Sequence, residues 1–163
     1  MHDKIYNQKD IKKSNIYSQI EKFSSTKLDQ NLFLHNVKYS KLNVQYFQTD
    51  VNEFFSRYLK NLKSKINICY IDAGHMYFDV KNDIEKCLDI LAFCKCKRGL
   101  LFGDDFSLNY KTVEKEYNKD YLYANTIKSK ITNTTFHPGV TKAVYDVIGE
   151  VKSKNGIWYK YIF

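Results

Sequence analysis

The chain is poor in arginine, proline and glycine, and each shortage excludes something. Of its 26 basic side chains only Arg57 and Arg98 are arginines. Arginine makes most bidentate contacts to phosphate and guanine, so the formal net charge of +8 does not mark a dedicated nucleic-acid reader. The lysines also run the whole length of the chain, around 12–13, 60–65, 95–98, 128–130 and 152–160, instead of forming one basic segment. No apolar run approaches the roughly 18 residues a membrane span needs. The polar, charged opening lacks the apolar core of a secretory leader, and a reducing cytoplasm is the expected location. The four cysteines form no zinc spacing: Cys94 and Cys96 have no second Cys or His pair near them. Cys69 in an apolar run and Cys87 on a helix face read as buried thiols. There is no internal repeat and no heptad pattern.

What is present reads as one ordinary core: 163 residues, 44% of them hydrophobic, support a single domain and no comfortable second one. Residues 1–25 read as a weakly ordered lead-in and 26–163 as the domain. Leu28, Leu32 and Phe33 stand at helical spacing over 27–37, and alternation at 43–48 predicts a strand. Asp50 and Glu53 have capping-box spacing ahead of a stripe of Val51, Phe54, Phe55, Tyr58, Leu59 and Leu62, with Lys63 and Lys65 at the favourable dipole end. Residues 66–71 and 99–103 are short apolar runs that read as strands buried on both faces. Between them Val80, Ile84, Cys87, Leu88 and Leu91 make one helical face from about Asp79. The tyrosine-rich stretch 107–136 reads as a long irregular loop with a short helix at 112–118; such loops are usually functional or disordered. Pro138, the only proline, opens a helix over Val140, Ala143, Val144, Val147 and Ile148 that Gly149 ends. A turn at 154–156 leads to a last strand at 157–163.

Alternating strands and helices imply an α/β sandwich with a mostly parallel sheet, and in such sheets ligands sit at the carboxyl ends of the strands. That rule selects Asp50, Asp72 to His75, and Asp104 with Asp105. Three clustered carboxylates repel unless protons or a cation neutralise them, and an all-oxygen trio suits Mg²⁺ or another hard divalent cation. His75 is then a candidate general base or further ligand. The plainer alternative is that Asp104 and Asp105 cap a turn and His75 packs near a helix start.

Three ordered stretches carry a resemblance. Ile71 to Ile84 (Ile-Asp-Ala-Gly-His-Met-Tyr-Phe-Asp-Val-Lys-Asn-Asp-Ile), Gly99 to Phe106 (Gly-Leu-Leu-Phe-Gly-Asp-Asp-Phe) and His137 to Val144 (His-Pro-Gly-Val-Thr-Lys-Ala-Val) are similar to the fourth strand and its helix, the fifth strand, and the next helix of class I S-adenosylmethionine-dependent methyltransferases, in particular the metal-dependent O-methyltransferases. The resemblance covers about 28–163. It implies a three-layer Rossmann-like sheet, mostly parallel, lacking its first strands, and methyl transfer to a small hydroxylated or sugar acceptor. It implies Asp72, Asp104 and Asp105 as metal ligands, His75 and Asp72 as catalytic groups, and Asp50, Asp72, Gly74 and His75 beside the cofactor, S-adenosylmethionine. The family's glycine-rich Glu-x-Gly-x-x-x-Gly loop has no counterpart, the earliest of the six glycines being Gly74. The expectation is therefore an N-terminally truncated relative, with an apolar sheet edge that invites a homodimer. A second reading makes the chain a catalytically silent module for an anionic partner or RNA, bound through its basic surface and the 107–136 tyrosines.

Overall fold

The computed structural model describes residues 28–41, 44–62, 65–116 and 124–162; the expected lead-in at 1–25, Lys63 and the 117–123 part of the tyrosine-rich stretch lie outside them. The chain divides into two compact units, Met1–Phe47 and Gln48–Phe163.

In the first unit, α1 spans Leu28–Ser40. Its apolar residues do not make a buried stripe: Leu32, Phe33 and Leu34 are all exposed. The strand expected at 43–48 is not formed, and residues 44–48 carry no ladder. The alternation there is real, but a strand exists only as part of a ladder, and alternation alone does not make one. Tyr46 instead packs its ring against Phe33, centroids 5.2 Å apart.

The second unit opens on α2, Val51–Glu53, which continues as a π-helical stretch Phe54–Tyr58 and a 3-10 turn Leu59–Asn61. Asp50 caps it, accepting the Glu53 amide at 2.9 Å. The capping box is only half made, because Glu53 turns instead to the Thr49 hydroxyl at 2.6 Å and to Arg57 at 2.5 Å. The wider π turn rotates the expected stripe: Leu59 is buried and Phe54, Phe55 and Leu62 reach the core, while Tyr58 stays outside.

Then follow β1 (Ile68–Ile71), α3 (Tyr77–Phe93), β2 (Gly99–Gly103), α4 (Tyr110–Glu116), β3 (Ile127–Lys128), β4 (Thr135–Phe136), α5 (Pro138–Ile148), β5 (Lys152–Lys154) and β6 (Ile157–Ile162). The four-stranded sheet has the order β1-β2-β6-β5. β1 pairs with β2 in parallel, and β6 is antiparallel to both β2 and β5. β1, β2 and β5 thus point one way with β6 reversed between β2 and β5, which makes the sheet mixed. Asn155 (φ 53°) and Gly156 (φ 81°) supply the two left-handed residues of the tight β5–β6 hairpin. The irregular stretch at 107–136 holds more order than its composition promises: α4 and the β3–β4 hairpin both fall inside it.

The core lies between the sheet and the helices α3 and α5, around Ile84, Leu91, Leu101, Val140, Val144 and Trp158. The α3 and α5 periodicities read from sequence are those that pack here, and Gly149 (φ 71°) ends α5 as expected. Cys69 and Cys87 are buried as expected, and all four cysteines are free thiols. The expectation of strands covered on both faces does not hold. Cys69, Ile71 and Leu101 face the helices, but on the other side Ile68 is 60% exposed, Tyr70 49% and Tyr161 68%. The described residues of this unit form two layers where three were expected, because both long helices lie on one face. No helix among them is long and apolar enough to cross a membrane.

Candidate functional site

Parallel pairing puts Ile71 opposite Gly103, so the residues that follow, Asp72 and Asp104, leave the sheet side by side. The Tyr70 hydroxyl lies between them, 3.2 Å from Asp104 Oδ2 and 3.5 Å from Asp72 Oδ2. One phenolic proton serves one carboxylate at a time. Asp104 is held above the usual carboxylate range, first by partial burial and then by the negative charges of Asp105 and Asp72. Tyr70 is shifted up as well, by desolvation and then by the same two carboxylates it bridges, Asp104 and Asp72.

Asp105 belongs to a different group. Its φ of 57° is left-handed, a region that Asp tolerates better than most residues, and there the chain turns before Phe106 anchors its amide to the Gly156 carbonyl at 2.9 Å. The Asp105 side chain meets His75, Oδ2 to Nε2 at 2.7 Å, and its other oxygen lies 4.0 Å from His137 Nε2. The two imidazoles face each other with centroids 4.2 Å apart. His137 Nδ1 is 2.8 Å from the Asn125 carbonyl oxygen. A carbonyl only accepts, so Nδ1 carries a proton, and Nε2 is the ring nitrogen on Asp105's side of the site.

Two glycines make this convergence sterically feasible. A Cβ on Gly139 would stand 2.5 Å from the His75 carbonyl oxygen and 2.6 Å from the Tyr77 amide nitrogen. The first turn of α5 therefore lies directly on the loop after β1, and His137, extended before Pro138 as residues before proline prefer, is carried against His75. A Cβ on Gly103 would stand 2.7 Å from the Ile71 carbonyl oxygen and 2.8 Å from Trp158 Nε1, so this glycine lets Trp158 support both strand ends from below.

Among the described residues, the group whose ligand atoms all lie within 4.8 Å of one another is His75, Asp105 and His137. The trio expected from sequence is divided: Asp72 and Asp104 share Tyr70, and Asp105 goes with the histidines. As arranged, Asp72, Asp104 and Asp105 do not close into one ligand set. His137 was passed over in the sequence because it served only as the first letter of a helix motif. The available signal was a histidine set immediately before a helix-opening proline, on a loop that the parallel architecture returns to the strand ends.

An open cleft of about 710 Å³ adjoins the Asp72 side, lined among others by Thr49, Asp50, Tyr70, Asp72, Asp79 and Asp83. Asp50 and Asp72, expected beside one cofactor, do share it. Gly74 and His75 line instead a very small cavity with Asp104, Asp105 and Trp158. Gly74 has a packing role, since a Cβ there would touch Asp79 Cβ at 3.0 Å. Asp83 is raised above the usual carboxylate range by burial and then by the charge of Asp79, with a smaller contribution from Asp50. The cleft wall is thus rich in hydrogen-bond acceptors.

No protein-family model matches the chain, and no curated protein and no solved structure matches it either.

Proposed function

We propose that the chain is a class I S-adenosylmethionine-dependent methyltransferase of the O-methyltransferase type, acting on a hydroxyl of a small hydroxylated or sugar substrate, with a Rossmann-like strand arrangement. The observation that carries this reading is the parallel pairing of β1 and β2, after which Asp72, His75, Asp104 and Asp105 follow the carboxyl ends, Asp72 in a cleft that Asp50 also lines and the other three around a very small cavity. The common direction of β1, β2 and β5 supports the fold reading. The cofactor, when bound, supplies an electrophilic methyl group on its sulfonium. In this reading Asp50 and Asp72 accept hydrogen bonds from the cofactor's hydroxyl and amino groups. The His75 ring, oriented by Asp105 at 2.7 Å, would be the group that takes the acceptor's hydroxyl proton. Holding both reactants in place supplies much of the acceleration. The proposed Asp72, Asp104 and Asp105 metal set has no step here, because those three side chains are divided between two groups.

Ligand-observed NMR with S-adenosylmethionine tests the reading. Saturation transfer to the cofactor is expected, and both Asp50→Ala and Asp72→Ala should remove it. A folded chain that shows no transfer contradicts the proposal.

A further inference from the structure

We infer that His75, Asp105 and His137 form a binding site for a first-row divalent transition-metal ion such as Zn²⁺ or Fe²⁺. The site shares His75 and Asp105 with the methyl-transfer reading, where an ion would occupy the pair that otherwise acts as base and partner, and its test needs no cofactor. Two imidazole nitrogens and one carboxylate oxygen are the donor set that borderline ions prefer, whereas Mg²⁺ and Ca²⁺ take oxygen ligands. Such ions hold nitrogen and oxygen at about 2.0–2.2 Å, which places ligand atoms roughly 3–3.5 Å from one another. The three atoms here already lie within 4.8 Å, so a small contraction of side chains closes the shell.

The second observation is the support behind His137. A metal-ligating histidine characteristically donates its other ring N–H to a carbonyl or carboxylate, which fixes the tautomer and aims the free nitrogen. His137 has that partner in the Asn125 carbonyl at 2.8 Å, presented just before the β3–β4 hairpin. The side chains are also accessible to an entering ion, His75 being 29% exposed, Asp105 33% and His137 19%. Three protein ligands leave coordination positions free, so the ion would take water or a substrate oxygen there.

The test is calorimetric titration of the whole chain with Zn²⁺ and separately with Mg²⁺, together with the visible spectrum after Co²⁺ addition. One Zn²⁺ per chain is expected, with Mg²⁺ much weaker and Co²⁺ bands that report nitrogen ligation. His137→Ala and Asp105→Asn should each weaken Zn²⁺ by at least roughly tenfold, the loss that removal of even an outer partner produces, and Asp72→Asn should leave it unchanged. Asn is as much at home as Asp at a left-handed φ, so Asp105→Asn keeps the fold even if His137→Ala does not, and circular dichroism verifies both. Zn²⁺ binding that survives Asp105→Asn, that Mg²⁺ matches, or that Asp72→Asn abolishes equally would overturn the assignment.

Discussion

Asp104 and Asp105 are neighbours in the chain, leave the same strand, and enter two polar groups that handle negative charge in opposite ways. Asp104 stands with Asp72 across a single phenol, and its proton affinity is raised by partial burial first and then by the charges of Asp105 and Asp72. Asp105 stands between two imidazoles that can complement it. At Asp105 the backbone takes a left-handed φ of 57°, and its side chain meets His75 while that of Asp104 meets Tyr70. The first group is an acceptor-rich wall suited to a polar ligand, and the second has the donor set of a metal centre.

Substitutions can break that contrast selectively. The largest effect is expected from Trp158→Ala, which removes a fully buried ring from beneath both groups; such truncations cost about 3–5 kcal/mol, and denaturant unfolding should show it. Gly139→Ala comes next. Its new methyl meets backbone at 2.5 and 2.6 Å, overpacking that costs about 1–3 kcal/mol, and it should separate His137 from His75 while leaving the Tyr70 group in place. Asp104→Asn should stabilise the chain by about 0.5 kcal/mol or less at neutral pH, the scale that remains once water screens partly exposed charges. The sign follows from linkage. A carboxyl whose folded pKa lies above its ordinary 3.8 binds its proton more tightly in the folded state, so its charge costs stability progressively as pH rises from that value through the folded one. The Asn variant should lose that part of the pH dependence and gain most above it. Tyr70→Phe should be the mildest. It removes the hydrogen bond that lowers Asp104, so the Asp104 titration followed by carboxyl-carbon NMR should move further up.

How much of this was legible in the sequence depended on the range of the forces involved. The β1, β2 and β6 strands and the α3 and α5 helices were readable because each buries a face whose period matches its geometry. Asp50 was readable as a cap because capping is local. Val44 to Gln48 misled because alternation records a tendency to pair, and pairing needs a partner. The β3–β4 hairpin was missed because strands of two residues are too short to show a period. That the described helices cover one sheet face, with Ile68 and Tyr161 left exposed, is a property of where those helices lie and has no local signature. At the site, Asp72, His75, Asp104 and Asp105 were all selected by the strand-end rule, but which partner each side chain meets is set by tertiary placement, and His137 enters only through the tertiary contact that Gly139 permits.

That division is tested most directly by histidine-ring NMR during Zn²⁺ addition, compared between Asp104→Asn and Asp105→Asn. The prediction is that the His75 and His137 resonances respond together in the unsubstituted chain and in Asp104→Asn, and that the response is lost in Asp105→Asn. Equal behaviour of the two variants would contradict the account, because it would place both carboxylates in one site.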